Sequence, residues 1–273
     1  MCELLGMSSN HKTTVNISLA TLAERGENPH LHGDGWGVAF YEGNDVRLIK
    51  DFGEAKGSRW VEFIKQQEIR SHDVIAHIRR STVGEVSYKN THPFIRELFG
   101  RMHTFAHNGT FHDIQSLPQY NTKRFRAVGT TDSEHAFCYL LDCMNEAWQG
   151  SDIIPTLDKR MEVVVKFAAE MRELGPANFL YSDGITLFAH GHHRHDPIQN
   201  KLVWPGLQFI QVGNSDKAFK RSSDTAISLD ATDKFLTMFA SVPLNDGDWR
   251  PLQSGEVIAV TRGEMKFHQM QTT

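Results

Sequence analysis

The apolar positions change period twice along the chain. In its first part they form short runs of β-formers broken by polar or glycine-containing stretches. Cys2–Met7, Gly35–Tyr41, Val46–Phe52, Val74–Arg79 and Met102–Ala106 each read as a strand. Asn16–Arg25 reads as a short helix stopped by Gly26, because glycine takes the left-handed conformation that ends helices. The period then becomes helical. Ala136, Phe137, Leu140, Leu141 and Met144 predict a helix over Asp132–Trp148 with Asp132 as N-cap, and a second follows over Leu157–Leu174, ended by Gly175-Pro176. Strands return at Phe179–Tyr181, Thr186–Ala189, Leu207–Val212, Leu236–Val242 and Val257–Thr261. Strands, two adjacent helices, then strands predict an α+β fold of packed sheets covered by helices, not a regular βαβ alternation. No repeat, low-complexity tract or Pro/Gly-rich linker divides the chain, so residues 2–273 are expected to form one domain.

Composition narrows the function. The 273 residues can bury a substantial core, and a net charge of -4 offers no basic footprint. Nucleic acid and anionic membranes are therefore not expected as partners. The first twenty residues hold Glu3 and Lys12 without a long apolar run, so no signal peptide is expected, and no later stretch is long enough to span a bilayer. Cys2, Cys138 and Cys143 are too few, and odd in number, for a disulfide framework. A cytoplasmic, reducing location follows, in which Cys2 stays a free thiol.

A cysteine at position 2, taken alone, is a small buried hydrophobe. Removal of Met1, which the small Cys side chain favours, gives it another use. The α-amine of a first residue has a pKa of roughly 7.7–8, so part of it is neutral near pH 7 and can take the thiol proton. Four separated segments add to this: Arg25-Gly26 with Asp34-Gly35-Trp36-Gly37; His77-Ile78-Arg79-Arg80-Ser81-Thr82-Val83-Gly84; His107-Asn108-Gly109; and Thr130-Thr131-Asp132-Ser133-Glu134. With Thr91-His92-Pro93-Phe94 they follow Cys2 in an order that resembles the class II glutamine amidotransferases, whose glutaminase domain is an N-terminal-nucleophile hydrolase. The resemblance runs from Cys2 to about residue 140.

That resemblance implies a four-layer αββα sandwich and a set of roles. Cys2 would be the nucleophile, with Asn108 and Gly109 forming the oxyanion hole. Arg79 would bind the substrate α-carboxylate, Thr82 would support it, and Asp132 would pair with the α-ammonium. Arg25, Gly35, Trp36 and His107 would be supporting residues. The substrate would be a γ-glutamyl compound such as glutamine, with no cofactor and no metal. Blander readings stand beside these: Asn108-Gly109 is a common hairpin-turn dipeptide, and Arg79-Arg80 could be a surface pair. Arg80 departs from the aromatic residue usual in synthase members, and Val83 from a histidine found in some.

No phosphate-binding glycine loop follows the motifs, so a stand-alone, YafJ-like member is expected, serving a separate synthase or acceptor protein or cleaving a γ-glutamyl peptide itself. A non-catalytic binding module, and an N-terminal-cysteine hydrolase of bile-salt or penicillin amides, remain the alternatives. The segment His190–Asp196, four of whose residues are histidines, is expected to be a solvated polar loop, and Cys138 and Cys143 to be packing residues.

Overall fold

The chain starts on a long strand, β1 (Glu3–Ile17), and one sheet grows on both sides of it. The computed structural model describes residues 2–17, 33–80, 84–148, 153–196, 199–213, 227–229 and 235–270. In it β1 pairs antiparallel with β4 (Arg70–Ile78) on one side and β13 (Leu236–Ala240) on the other. β2 (Trp36–Glu42) and β3 (Asp45–Asp51) extend the sheet beyond β4, and β11 (Gln208–Val212) and β14 (Arg250–Pro251) extend it beyond β13. β12 (Ile227–Leu229) pairs with the far end of β1. A second antiparallel sheet runs in the order β16 (Glu264–Met270), β15 (Glu256–Thr261), β8 (Leu187–His190), β7 (Ala177–Ser182), β6 (Arg101–Gly109), β5 (Phe94–Leu98). β9 (Arg194–Asp196) and β10 (Lys201–Val203) make a separate hairpin.

Alternation along these strands explains how the sheets stack. Successive side chains on a strand point to opposite faces. Leu4, Ile75, Phe209 and Phe239 of the first sheet pack with Ala106, Leu180, Ala189 and Ile258 of the second. Their neighbours Leu5, Val74, Ala76, Ile210 and Met238 point the other way, onto Val61 and Ile64 of helix α1 (Arg59–Gln67). Phe105, Phe179, Tyr181 and Phe188 point outward from the second sheet onto α2 (Asp132–Trp148) and α3 (Leu157–Leu174). The layers are helix, sheet, sheet, helices: the αββα sandwich that the resemblance implies. Strands buried on both faces read as near-continuous apolar runs, which is how they stand out in the sequence.

Several expectations shift. Asn16 and Ile17 are strand, paired with Ser228 and Ile227, so the helix expected over Asn16–Arg25 does not begin there; cross-strand pairing overrides local propensity. Residues 18–25 of that helix lie outside the described residues. Asn108 and Gly109 end β6 opposite Asn178 and Ala177 instead of forming a hairpin turn. The segment His190–Asp196 is not a solvated loop, because His190 closes β8 and Arg194 and Asp196 are buried in β9. Cys138 lies in the helix-covered core. Among the described residues no helix is long and apolar enough to cross a membrane.

Polar groups fix the outer layer. Arg160 of α3 pairs with buried Asp183 at the β7–β8 turn, and the other carboxylate oxygen of Asp183 accepts the N–H groups of Ile185 and Thr186. Removing one partner of such a pair costs about 3–5 kcal/mol.

Two buried histidines in the second sheet make its stability pH-dependent. His103 meets the Tyr181 hydroxyl at 2.7 Å, and His190 donates from Nδ1 to the Ala177 carbonyl. Burial lowers His103 to about 4 and His190 to about 3, so both are neutral in the folded chain near pH 7. The unfolded chain takes these protons near pH 6.5. Stability is therefore fully present above about pH 6.5 and falls as pH drops from there toward 4, by about 1.4 kcal/mol per unit for each histidine. The urea midpoint is expected to be lower at ~pH 5 than at ~pH 7, and His103→Asn should shrink that difference; equal midpoints in the wild type would rule the linkage out.

Candidate functional site

Cys2 stands immediately before β1, the strand with neighbours on both sides at the middle of the first sheet. Its thiol is half-buried, accepts the Arg80 N–H at 3.2 Å and lies 3.3 Å from the Arg80 carbonyl. Burial pushes the Cys2 thiol up, against the lowering effect of that N–H. Little thiolate is then present near neutrality, and a reacting Cys2 needs a base. The Cys2 carbonyl accepts a hydrogen bond of 2.7 Å from Asn108 Nδ2, at the end of β6 in the opposite sheet. Ser241, just past β13, accepts the Leu4 N–H at 2.9 Å and lies 3.4 Å from the same Asn108 nitrogen. Asn178 of β7 completes the support. Its Nδ2 donates to the Asn108 and His193 carbonyls, and its Oδ1 accepts the His192 N–H.

Gly109 follows Asn108 where no side chain fits. A Cβ there would sit 1.8 Å from the Pro176 carbonyl oxygen and 2.7 Å from His107 Nε2. His107 is buried, and burial lowers its pKa, so the ring is neutral near pH 7. Its Nε2 lies 3.0 Å from the Pro176 carbonyl, which can only accept, so Nε2 carries the proton. Nδ1 then accepts from the Ser133 hydroxyl at 2.9 Å. Ring stacking on Phe111 at 3.9 Å fixes the plane. His107 is thus a strut between β6, α2 and the Pro176 backbone.

Arg79 is buried just past β4. Its N–H donates to the Gly35 carbonyl at 2.7 Å, and its guanidinium reaches the Asp34 and Gly84 carbonyls at 3.4 and 3.5 Å. Burial lowers its pKa, while the charges of Cys2, Asp34 and Asp132 oppose that shift, which places all three within its electrostatic reach. Gly35 has φ +136°, and a Cβ on it would meet Thr91 Oγ1 at 2.8 Å. Trp36, next along, is fully buried in the core under α1. Asp132 opens α2, and its Oδ2 accepts the Phe111 N–H at 2.6 Å. The N-cap is Thr131 instead of Asp132: Thr131 Oγ1 accepts the Glu134 N–H at 3.2 Å. Thr82 and Arg25 lie outside the described residues. Asn90, which no motif singled out, pins the loop after Arg79 by donating to Glu85 O and accepting the Thr130 N–H at 2.8 Å. Among the described residues no group of three or more His, Cys, Asp or Glu is placed to hold a metal ion.

A thiol, an amide donor, a guanidinium and a carboxylate thus share one end of the sandwich. The family model for glutamine amidotransferases class II matches residues 1–273. The chain belongs to the class II glutamine amidotransferases. Within them it is similar to YafJ of Escherichia coli (strain K12), at 42% identity over 94% of this chain and 96% of that protein. It is also similar to a predicted glutamine amidotransferase of Pseudomonas aeruginosa PA01 whose crystal structure has 32% identity, a TM-score of 0.67, and covers 97% of this chain and 100% of that one. The glutamine phosphoribosylpyrophosphate amidotransferase of B. subtilis shares the fold, with a TM-score of 0.53 at 13% identity, and this chain covers 49% of its length.

In this member of the class II glutamine amidotransferases the Gly109 position tests the packing of the site. Gly109→Ala must move the Pro176 carbonyl, so it is expected to cost about 1–3 kcal/mol. A denaturant midpoint equal to that of the wild type would show that the β6 end is not held as described.

Proposed function

We propose that this chain hydrolyses a γ-glutamyl amide through a γ-glutamyl thioester on Cys2. Family membership implies glutamine as the substrate class. The observation that carries the proposal is the meeting of Cys2 with Asn108 across the two sheets, with Arg79 and Asp132 beside them.

With Met1 removed, the α-amine of Cys2 takes the thiol proton as sulfur attacks the γ-carbonyl. A raised thiol pKa makes that base necessary, since little thiolate would otherwise be present near neutrality. The C–N bond then breaks as the protonated amine gives its proton to the leaving nitrogen, releasing ammonia or an amine. Water attacks the thioester, restores the thiol and releases glutamate. Asn108 Nδ2 and the Gly109 N–H would hold the oxyanion in both steps, one such donor being worth about 10²–10³ in rate. Arg79 would take the α-carboxylate with its planar fork, which a lysine could not match. Asp132, held by the Phe111 N–H, retains acceptor capacity for an α-ammonium. Released ammonia would pass to a separate acceptor protein or to solution.

Product analysis with glutamine, glutathione and other γ-glutamyl amides identifies the leaving group. Cys2→Ala is expected to abolish glutamate release, and Asn108→Ala to lower kcat about 10²–10³-fold. Glutamate release by Cys2→Ala at the wild-type rate would sink the scheme.

A further inference from the structure

A cavity lies at the other end of the sandwich from Cys2. On β4, Ile78 pairs with Glu3 near Cys2, whereas Asp73 pairs with Ser8. At about 3.3 Å per residue, five residues of strand separate the two places by roughly 17 Å. There the β2–β3, β7–β8 and β15–β16 turns meet the start of β6 around a cavity of about 210 Å³ lined by Tyr41, His72, Asp73, Arg101, Thr261 and Arg262, among others. That is smaller than the roughly 300–1,000 Å³ typical of drug-sized ligand sites, and suits a small metabolite.

Its charges are specific. Asp73 is 6% exposed, and its Oδ1 meets no hydrogen-bond partner among the described residues. The Ser8 hydroxyl supports the carboxylate, and burial raises Asp73 to about 6. A buried acceptor left unsatisfied is destabilising, more so if charged, and a cation in the cavity would offset that. Arg101 and Arg262 line the same cavity, and neither makes an ion pair with a described residue. Asp183 nearby is already neutralised by Arg160. His72 is held by the Ser9 carbonyl at 3.1 Å, and burial lowers its pKa, so it adds no charge near pH 7. The Tyr41 hydroxyl donates inside the sandwich, within reach of the Met102, Thr104 and Ser182 oxygens.

A simple anion would meet the Asp73 carboxylate, and a simple cation would meet two guanidinium groups. A ligand carrying both charges satisfies the whole set. We propose that this cavity binds a small free α-amino acid, its ammonium on Asp73 and its carboxylate on Arg101 and Arg262. Such a site is separate from the Cys2 reaction and does not depend on it.

The test is calorimetric titration of the full chain carrying Arg79→Ala, which removes amino-acid binding at the Cys2 end. The probes are L-alanine, L-serine and L-glutamate, with ethylamine and propionate as single-charge controls. At least one amino acid is expected to bind with unit stoichiometry, and both controls at least about tenfold more weakly. Asp73→Asn and Arg262→Gln should each weaken that binding about tenfold or more, with glutamine hydrolysis unchanged when introduced into the otherwise native chain. Arg262 is exposed on a turn, so its variant carries the test if Asp73→Asn fails to fold. Binding of none of the three amino acids below about 10 mM, equal binding of either control, or wild-type affinity in Arg262→Gln would overturn the proposal.

Discussion

The packing of one sheet against the other fixes everything else in this chain. Leu4, Ile75 and Phe239 must face Leu180, Ala189 and Ile258, and because strand side chains alternate, that requirement sets the register of every strand in both sheets. A one-residue slip of β1 would turn Leu4 outward and bring Leu5 and Met7 between the sheets. It would also move Cys2. The hydrogen bond from Asn108 Nδ2 to the Cys2 carbonyl joins the first residues of one sheet to the last residues of a strand in the other, so it forms only when both registers are right. The geometry around the thiol is a consequence of apolar stacking, not of any loop.

The polar groups beneath that contact are arranged to hold backbone, not to titrate. His77 donates to the His107 carbonyl, His107 bridges Ser133 and Pro176, and His190 donates to Ala177. Burial lowers the pKa of His92, His107 and His190, so they act as neutral spacers with one donor and one acceptor each. The same low-dielectric setting raises the Cys2 thiol. Rings whose pKa burial lowers are weak proton acceptors, and the backbone nitrogen of Cys2 is the group covalently closest to the thiol.

Much of the architecture was legible in the sequence because its strands are buried on both faces. Leu236–Val242, Val257–Thr261 and Leu207–Val212 stand out as apolar runs and fall within two residues of β13, β15 and β11. Helix α1 was missed because it is only nine residues long, too short to repeat a helical period more than about twice. β16 was missed because most of its length is exposed at a sheet edge. At the site, Cys2, Arg79, Asn108, Gly109 and Asp132 were legible as ordered short motifs. Ser241 and Asn178, which hold Leu4 and Asn108, were not. A single polar residue on or just past a strand carries no periodic signal, and its partners lie far away in sequence, at |i−j| of 237 and 70 for the two hydrogen bonds concerned.

The two ends of the sandwich show what such a fold does with buried charge. At the Cys2 end, Arg79 and Asp132 sit near one another and each is backed by main-chain groups, so their charges are partly compensated before any ligand arrives. At the other end, Asp183 is compensated by Arg160, but Asp73 keeps an unpartnered oxygen beside Arg101 and Arg262. Ser8 and the charge of Arg262 favour the Asp73 carboxylate but do not offset its burial, so carrying that charge costs the folded chain stability. A charge whose presence folding does not require is best accounted for by something that meets it from outside the chain.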